Sequence, residues 1–175
     1  MTDRGNTSVL EPAWRDRAGF CGVEVLDQPA GSINPVQRAH LRAVAVQIKM
    51  VHDLLVAFAD EYAPFPAELV AAQTRELVAV RLLLERYAVD DPGTQLRPGL
   101  FSDPAAQHDY QRLRARGRSG RATALHVVAV ALRETVALLR PLPAGLSAPD
   151  MRNVYFQLLT SSQRQSRIVQ AWSAR

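Results

Sequence analysis

The sequence predicts an all-α protein, an antiparallel four-helix bundle in one domain. Three observations lead there. Apolar residues recur at alternating spacings of three and four in four long segments, proline and glycine cluster between those segments, and no stretch alternates apolar with polar residues as a strand would. No internal repeat at a solenoid period is present. At 175 residues the chain suits a single domain, which can bury roughly 70% of its unfolded surface without disulfide or metal.

Residues 1–34 carry Gly5, Gly19, Gly22, Gly31, Pro12 and Pro29 without sustained periodicity, and are expected to form an extended or partly disordered arm ahead of a bundle at 35–175. Asn34 can cap and Pro35 suits a first helical position, so helix one begins there. Leu41, Val44, Ile48, Val51, Leu55, Phe58 and Tyr62 form its stripe, and Pro64-Phe65-Pro66 ends it. Helix two, about 66–88, carries Leu69, Val80, Leu83 and Tyr87 on one seam. Residues 89–104 hold three prolines and two glycines and read as a long crossing loop, followed by a short extra helix over about 104–116 under Ser102-Asp103-Pro104. Helix three, about 119–140, is apolar on nearly every side and is expected to be the most buried. Helix four starts at Ser147-Ala148-Pro149-Asp150, with Met151, Tyr155, Leu158, Ser162, Gln165, Val169 and Trp172 as its stripe.

Composition narrows the function classes. The apolar run Val127 to Leu132 is far shorter than the ~20 residues of a membrane span. The N-terminal stretch mixes Asp3, Glu11 and Asp16 with arginines and lacks a secretory pattern, so a soluble, cytoplasmic protein is expected. Cys21 is the sole cysteine, which excludes an internal disulfide and a multi-cysteine metal site. Lys49 is the sole lysine, so the net charge of +4 comes almost wholly from arginine and says little about partners.

The informative anomaly is polar side chains on inward stripes. Helix two reads Leu69, Gln73, Glu76, Val80 along one seam. Ser162 and Gln165 interrupt the stripe of helix four, and Gln47 lies beside Val44 and Val51 on helix one. Burying an unpaired polar group costs about 1–3 kcal/mol, and an unpaired carboxylate costs more or takes up a proton. These groups are therefore expected either to close a hydrogen-bonded network or to line a pocket between the helices.

The stretches LLLERYAVDDPGTQLRPGLFSDPAAQHDYQRLRARG, TALHVVAVALRE and PDMRNVYFQLLTSSQRQSR carry a family likeness. Through Arg86-Tyr87, Asp91-Pro92, Gly99, Phe101, Asp103-Pro104, Gln107, Tyr110, Leu113, Arg116-Gly117, Arg152, Val154, Tyr155, Leu158, Leu159 and Ser162, residues 38–170 resemble an uncharacterised family of bacterial ferritin-like proteins. That resemblance implies a ferritin-like bundle with a carboxylate and histidine site of the di-iron type, which needs Glu and Glu-x-x-His from facing helices. This chain departs from the pattern. The implied ligand positions hold Val46-Gln47-Ile48, Gln73 with Glu76, Leu132-Arg133 and Gln165. No metal and no cofactor are therefore expected, and His40, His52, His108 and His126 read as surface or boundary residues.

Three functions compete at this level. In the first, the vacated centre is a small-molecule pocket and the chain a cofactor-independent acid/base enzyme for cyclisation, isomerisation or elimination. Glu76 and Tyr155 are then catalytic, and Gln47, Gln73, Ser162 and Gln165 bind the ligand. In the second, the bundle is a non-catalytic interaction or assembly module, able to form a homodimer. A residual metal-binding oxidoreductase is a further alternative. Nucleic-acid binding through Arg112, Arg114, Arg116, Arg118 and Arg121 is disfavoured, because aromatic interleaving stops at Tyr110.

Overall fold

Asn34 opens the first helix through its own side chain. In the computed structural model, which describes residues 27–93 and 97–174, Asn34 Oδ1 accepts from Gln37 N while Gln37 Oε1 accepts from Asn34 N, a reciprocal capping box. Pro35 follows at a position where no N–H donor is needed. Helix α1 runs Pro35–Glu61 and α2 Ala67–Arg86. Helix α3, Pro104–Gly117, starts under Asp103, whose carboxylate accepts from Ala105 N. Helices α4, Arg121–Leu139, and α5, Pro149–Ser173, complete an all-helical chain with no strand among the described residues.

Helix α5 starts within the expected Ser147–Asp150 stretch but lacks the expected side-chain cap. Ala148 occupies the cap position and no side chain caps the helix. Asp150 is committed elsewhere. It is fully buried, its Oδ1 accepts from Met151 N at 2.7 Å and from the Tyr87 hydroxyl, and Arg86 pairs with its Oδ2 at 3.3 Å. Gly31 N donates to the same tyrosine oxygen, and Ile33 packs on the core, so residues 27–34 include contacts with the helices that a free arm would lack. The rest of the expected arm, with Cys21, lies outside the described residues.

Helices α1 and α5 each pack against both α2 and α4, which closes a ring of four; α3 leans on α1 and α4. Neighbours in the ring run in opposite directions. His40 and Gln47 of α1 meet the carbonyls of Leu138 and Ala131 on α4, while Arg86 and Glu76 of α2 meet Asp150 and Gln165 on α5. Both α2 and α4 start at the end where α1 finishes. The connection from 87 to 120 must therefore return along the outside of α1, and α3 forms part of it.

The apolar interior falls into two clusters. One contains Leu41, Ile48, Val80, Leu83, Met151, Tyr155 and Leu158; the other contains Leu54, Phe58, Leu69, Leu113, Leu125, Leu132 and Val169. Helix α4, 19 residues long, contains an 18-residue window with a mean hydropathy of 1.6, so by length and composition it would suffice to cross a membrane. In this fold it is a core helix, with Ala124, Leu125, Val127, Val128, Ala131 and Leu132 buried.

Gly117 of α3 lies close against α1. A Cβ there would fall 2.1 Å from the ring of Phe58, which is itself fully buried and has no room to swing aside. Gly117→Ala is expected to destabilise the fold by about 1–3 kcal/mol through overpacking. Each kcal/mol lowers the melting temperature of a domain this size by roughly 2–4 °C. Adding Phe58→Leu to the same chain should recover part of that loss, measurable by thermal melting of the four proteins of the cycle.

Candidate functional site

Between the two apolar clusters lies a layer of polar side chains contributed by every helix of the ring. On α2, Gln73 falls one turn after Leu69 and Glu76 one turn before Val80. On α5, Ser162 and Gln165 fall between Leu158 and Val169. Helical spacing therefore gives these polar groups the same inward direction as the apolar residues around them. Gln73, Glu76, Ser162 and Gln165 are 0–2% exposed.

The α2 and α5 groups form a closed triad. Gln73 Nε2 donates to Glu76 Oε2 at 2.8 Å and to Gln165 Oε1 at 3.0 Å. Gln165 Nε2 donates to Glu76 Oε1 and, at 3.1 Å, to Ser161 Oγ. All four amide hydrogens are thus used, and both carboxylate oxygens accept. Three buried side-chain atoms have no hydrogen-bond partner among the described residues: Gln73 Oε1 and Ser162 Oγ in this layer, and Asp150 Oδ2, which faces Arg86. Burial pushes the Glu76 carboxyl up to about 7; hydrogen bonds from Ser161, Gln165 and Gln73 and the nearby Arg75 charge pull it back only in part.

Two expected site residues stand apart from this triad. Gln47 is half-buried and donates to Ala131 O at 3.0 Å and Thr135 Oγ1 at 3.4 Å, across the opposite seam between α1 and α4. Tyr155 lies ten residues before Gln165 on α5, about 15 Å along the helix axis. Its hydroxyl meets His40 Nδ1 at 3.0 Å inside the apolar cluster, and burial raises its pKa above the ordinary tyrosine value. Tyr155 is thus not placed as a second proton donor beside Glu76. Inward direction was legible from spacing; height along the bundle was not.

The donor set does not fit the di-iron centre that the family resemblance implies. At the mapped positions one carboxylate stands with two amides, and both its oxygens already accept amide hydrogens. Among the described residues no group of three or more His, Cys, Asp and Glu is gathered. Of the histidines, His40 serves Tyr155, His52 serves Asp53, and His108 and His126 are exposed.

A second buried charge cluster was missed by reasoning from sequence. Lys49 and Asp53 are 3% and 2% exposed and form an ion pair one helical turn apart. Asp53 also accepts from His52 Nδ1 at 2.9 Å and Gly99 N at 2.8 Å, while Lys49 Nζ sits 4.7 Å from the centre of the Phe101 ring. Burial pushes the Asp53 carboxyl up, but hydrogen bonds from His52, Lys49 and Gly99 and the Lys49 charge outweigh it and hold it below its ordinary value. The signal was available: Lys49 and Asp53 are the only charges between Arg42 and Asp60 in α1, and they stand four residues apart. With both oxygens of Asp53 engaged, the cluster ties the crossing loop to α1.

Glu76 makes stability depend on pH. Its pKa is about 7 in the fold against a reference of 4.5, so the folded chain binds more protons in that interval. Stability from this group is complete below about pH 4.5 and falls as pH rises through 7, by about 3 kcal/mol. Chemical denaturation at pH 5 and pH 8 should show that loss, and Glu76→Gln should flatten it. An unchanged slope in the variant would remove Glu76 as its cause.

The comparisons with known proteins bear on this geometry. No curated protein matches the chain. The crystal structure of a hypothetical protein from Methanococcus jannaschii is similar in fold, with a TM-score of 0.72 at 21% identity and coverage of 81% of each chain. Residues 38–171 match a family described as an uncharacterized protein domain, DUF2202. That match enters all five helices and includes the whole polar triad, and the chain belongs to this DUF2202 family.

Proposed function

We propose that the chain is a soluble, cytoplasmic, ferritin-like four-helix bundle whose α2/α5 centre acts without metal, as an acid/base site for a small organic molecule. One observation carries this reading: a sealed carboxyl with its pKa at about 7 is bonded to Gln73, whose Oε1 has unused hydrogen-bonding capacity, as does the buried Ser162 Oγ one turn before Gln165. A carboxyl poised near neutral pH can give a proton to one substrate atom and, as carboxylate, remove one from another. That balance suits cyclisation, isomerisation or elimination and needs no electron acceptor. A substrate N–H or O–H would satisfy Gln73 Oε1, and Gln165 would hold the carboxyl in place. Gln47 and Tyr155 have no role in it. Entry requires α2 and α5 to part, because the triad is fully enclosed.

The closure of all four amide hydrogens on protein acceptors favours a second reading, a non-catalytic assembly module whose triad fixes helix register. Phe156, 65% exposed on α5, would then suit contact with a second copy.

Small hydrogen-bond donors separate the two. With carboxyl-13C-labelled glutamate in the chain, millimolar imidazole or acetamide should shift the Glu76 resonance, and Ser162→Ala should weaken that response. If neither probe moves the resonance, and joint replacement of Gln73 and Glu76 by leucine raises the melting temperature, the acid/base reading is wrong and the module reading stands.

A further inference from the structure

On its outer side α5 borders a groove that has no part in the polar triad. Arg133 of α4 and Arg140, which caps the helix C-terminus in αR conformation, are seven residues apart, two turns along one face and about 10 Å along the axis. Val136 and Ala137 lie between them and Pro141 follows, giving an apolar floor. Gln163 and Ser166 of α5 form the facing wall, and the groove measures about 580 Å³, within the usual range for small-molecule sites.

The positive charge of these two arginines is not balanced inside the groove. Arg81, Arg86, Arg112, Arg114 and Arg118 each meet a carboxylate. Neither Arg133 nor Arg140 has an ion-pair partner among the described residues, and no residue lining the groove is acidic. The Ser166 hydroxyl already donates to Ser162 O, which leaves Gln163 as the wall's free amide donor.

We propose that the α4/α5 groove binds a small amphipathic carboxylate, its charged end held by Arg133 and Arg140 and its apolar body laid on Val136, Ala137 and Pro141. A guanidinium presents a planar pair of N–H donors that a carboxylate accepts in bidentate fashion, and each arginine reaches far enough along the groove to share one anion. An ammonium or a neutral alcohol of the same length finds no acidic partner there. A bare inorganic anion leaves the apolar floor uncovered. The site is independent of the acid/base reading, since the triad faces the interior and the groove faces outward.

Isothermal titration calorimetry of the full chain with sodium octanoate, kept below its micelle concentration, tests the proposal. Saturable binding at one site is expected. The double variant Arg133→Gln, Arg140→Gln should weaken it at least tenfold with an unchanged melting temperature, because both side chains are exposed. Octylammonium and 1-octanol should bind at least tenfold more weakly than octanoate, and Glu76→Gln should leave octanoate binding intact. Absence of saturable octanoate binding overturns the proposal, as does equal binding by the double variant, equal binding of octanol, or displacement of octanoate by an equal concentration of inorganic phosphate.

Discussion

The burial of one carboxyl organises the middle of this molecule. Moving a carboxylate from water into a helix seam is costly unless donors surround it, and Glu76 meets that requirement only because Gln73 and Gln165 both aim their amides at it. Those two residues lie on different helices, so α2 and α5 are fixed in height as well as in facing. A shift of one residue along either helix would carry a donor away by about 1.5 Å and turn it by about 100°. Apolar seams tolerate such slips more readily, because leucine packs against leucine in neighbouring registers. The polar layer therefore supplies positional information that the two apolar clusters lack.

Elsewhere the same logic recurs at the ends of the bundle. Asp150 gathers Arg86, the Tyr87 hydroxyl and its own helix terminus, with Gly31 N donating to that tyrosine. Asp53 gathers Lys49, His52 and the backbone of the crossing loop at Gly99. Each buried acid binds a segment that helix packing alone would leave loose: the chain before α1 in one case, the long return connection in the other. Four of the five arginines in and after α3 also have partners. Arg112, Arg114 and Arg118 meet Asp109 or Glu61, and Arg121 stacks on Trp172. These pairings leave less free positive charge than the sequence suggested.

Most of the architecture was legible in the sequence, because it depends on periodicity and punctuation. Asn34-Pro35, Asp103-Pro104 and the apolar stripes located the helices to within a few residues. Ser147-Ala148-Pro149-Asp150 marked the start of α5 correctly but not how it is held: no side chain caps it, and Asp150, besides accepting from Met151 N, takes Tyr87 and Arg86 from 63 and 64 positions away. The candidate site was legible in direction but not in grouping. Gln73, Glu76 and Gln165 meet, whereas Gln47 and Tyr155 point inward at other heights or seams. Lys49, notable in the sequence only as the sole lysine, is a buried half of an ion pair.

The closed ring has a consequence for the order in which contacts can form. Helices α1 with α2, and α4 with α5, are joined by short connections and can pair as local hairpins. The triad links residues 89 and 92 positions apart, so it closes only when one hairpin docks on the other. Loop-closure entropy delays such distant contacts relative to local ones. Glu76 thus remains hydrated while the hairpins assemble, and the cost of drying it falls on the docking step. The carboxyl that sets the register of the finished bundle also sets a toll on its last act of assembly.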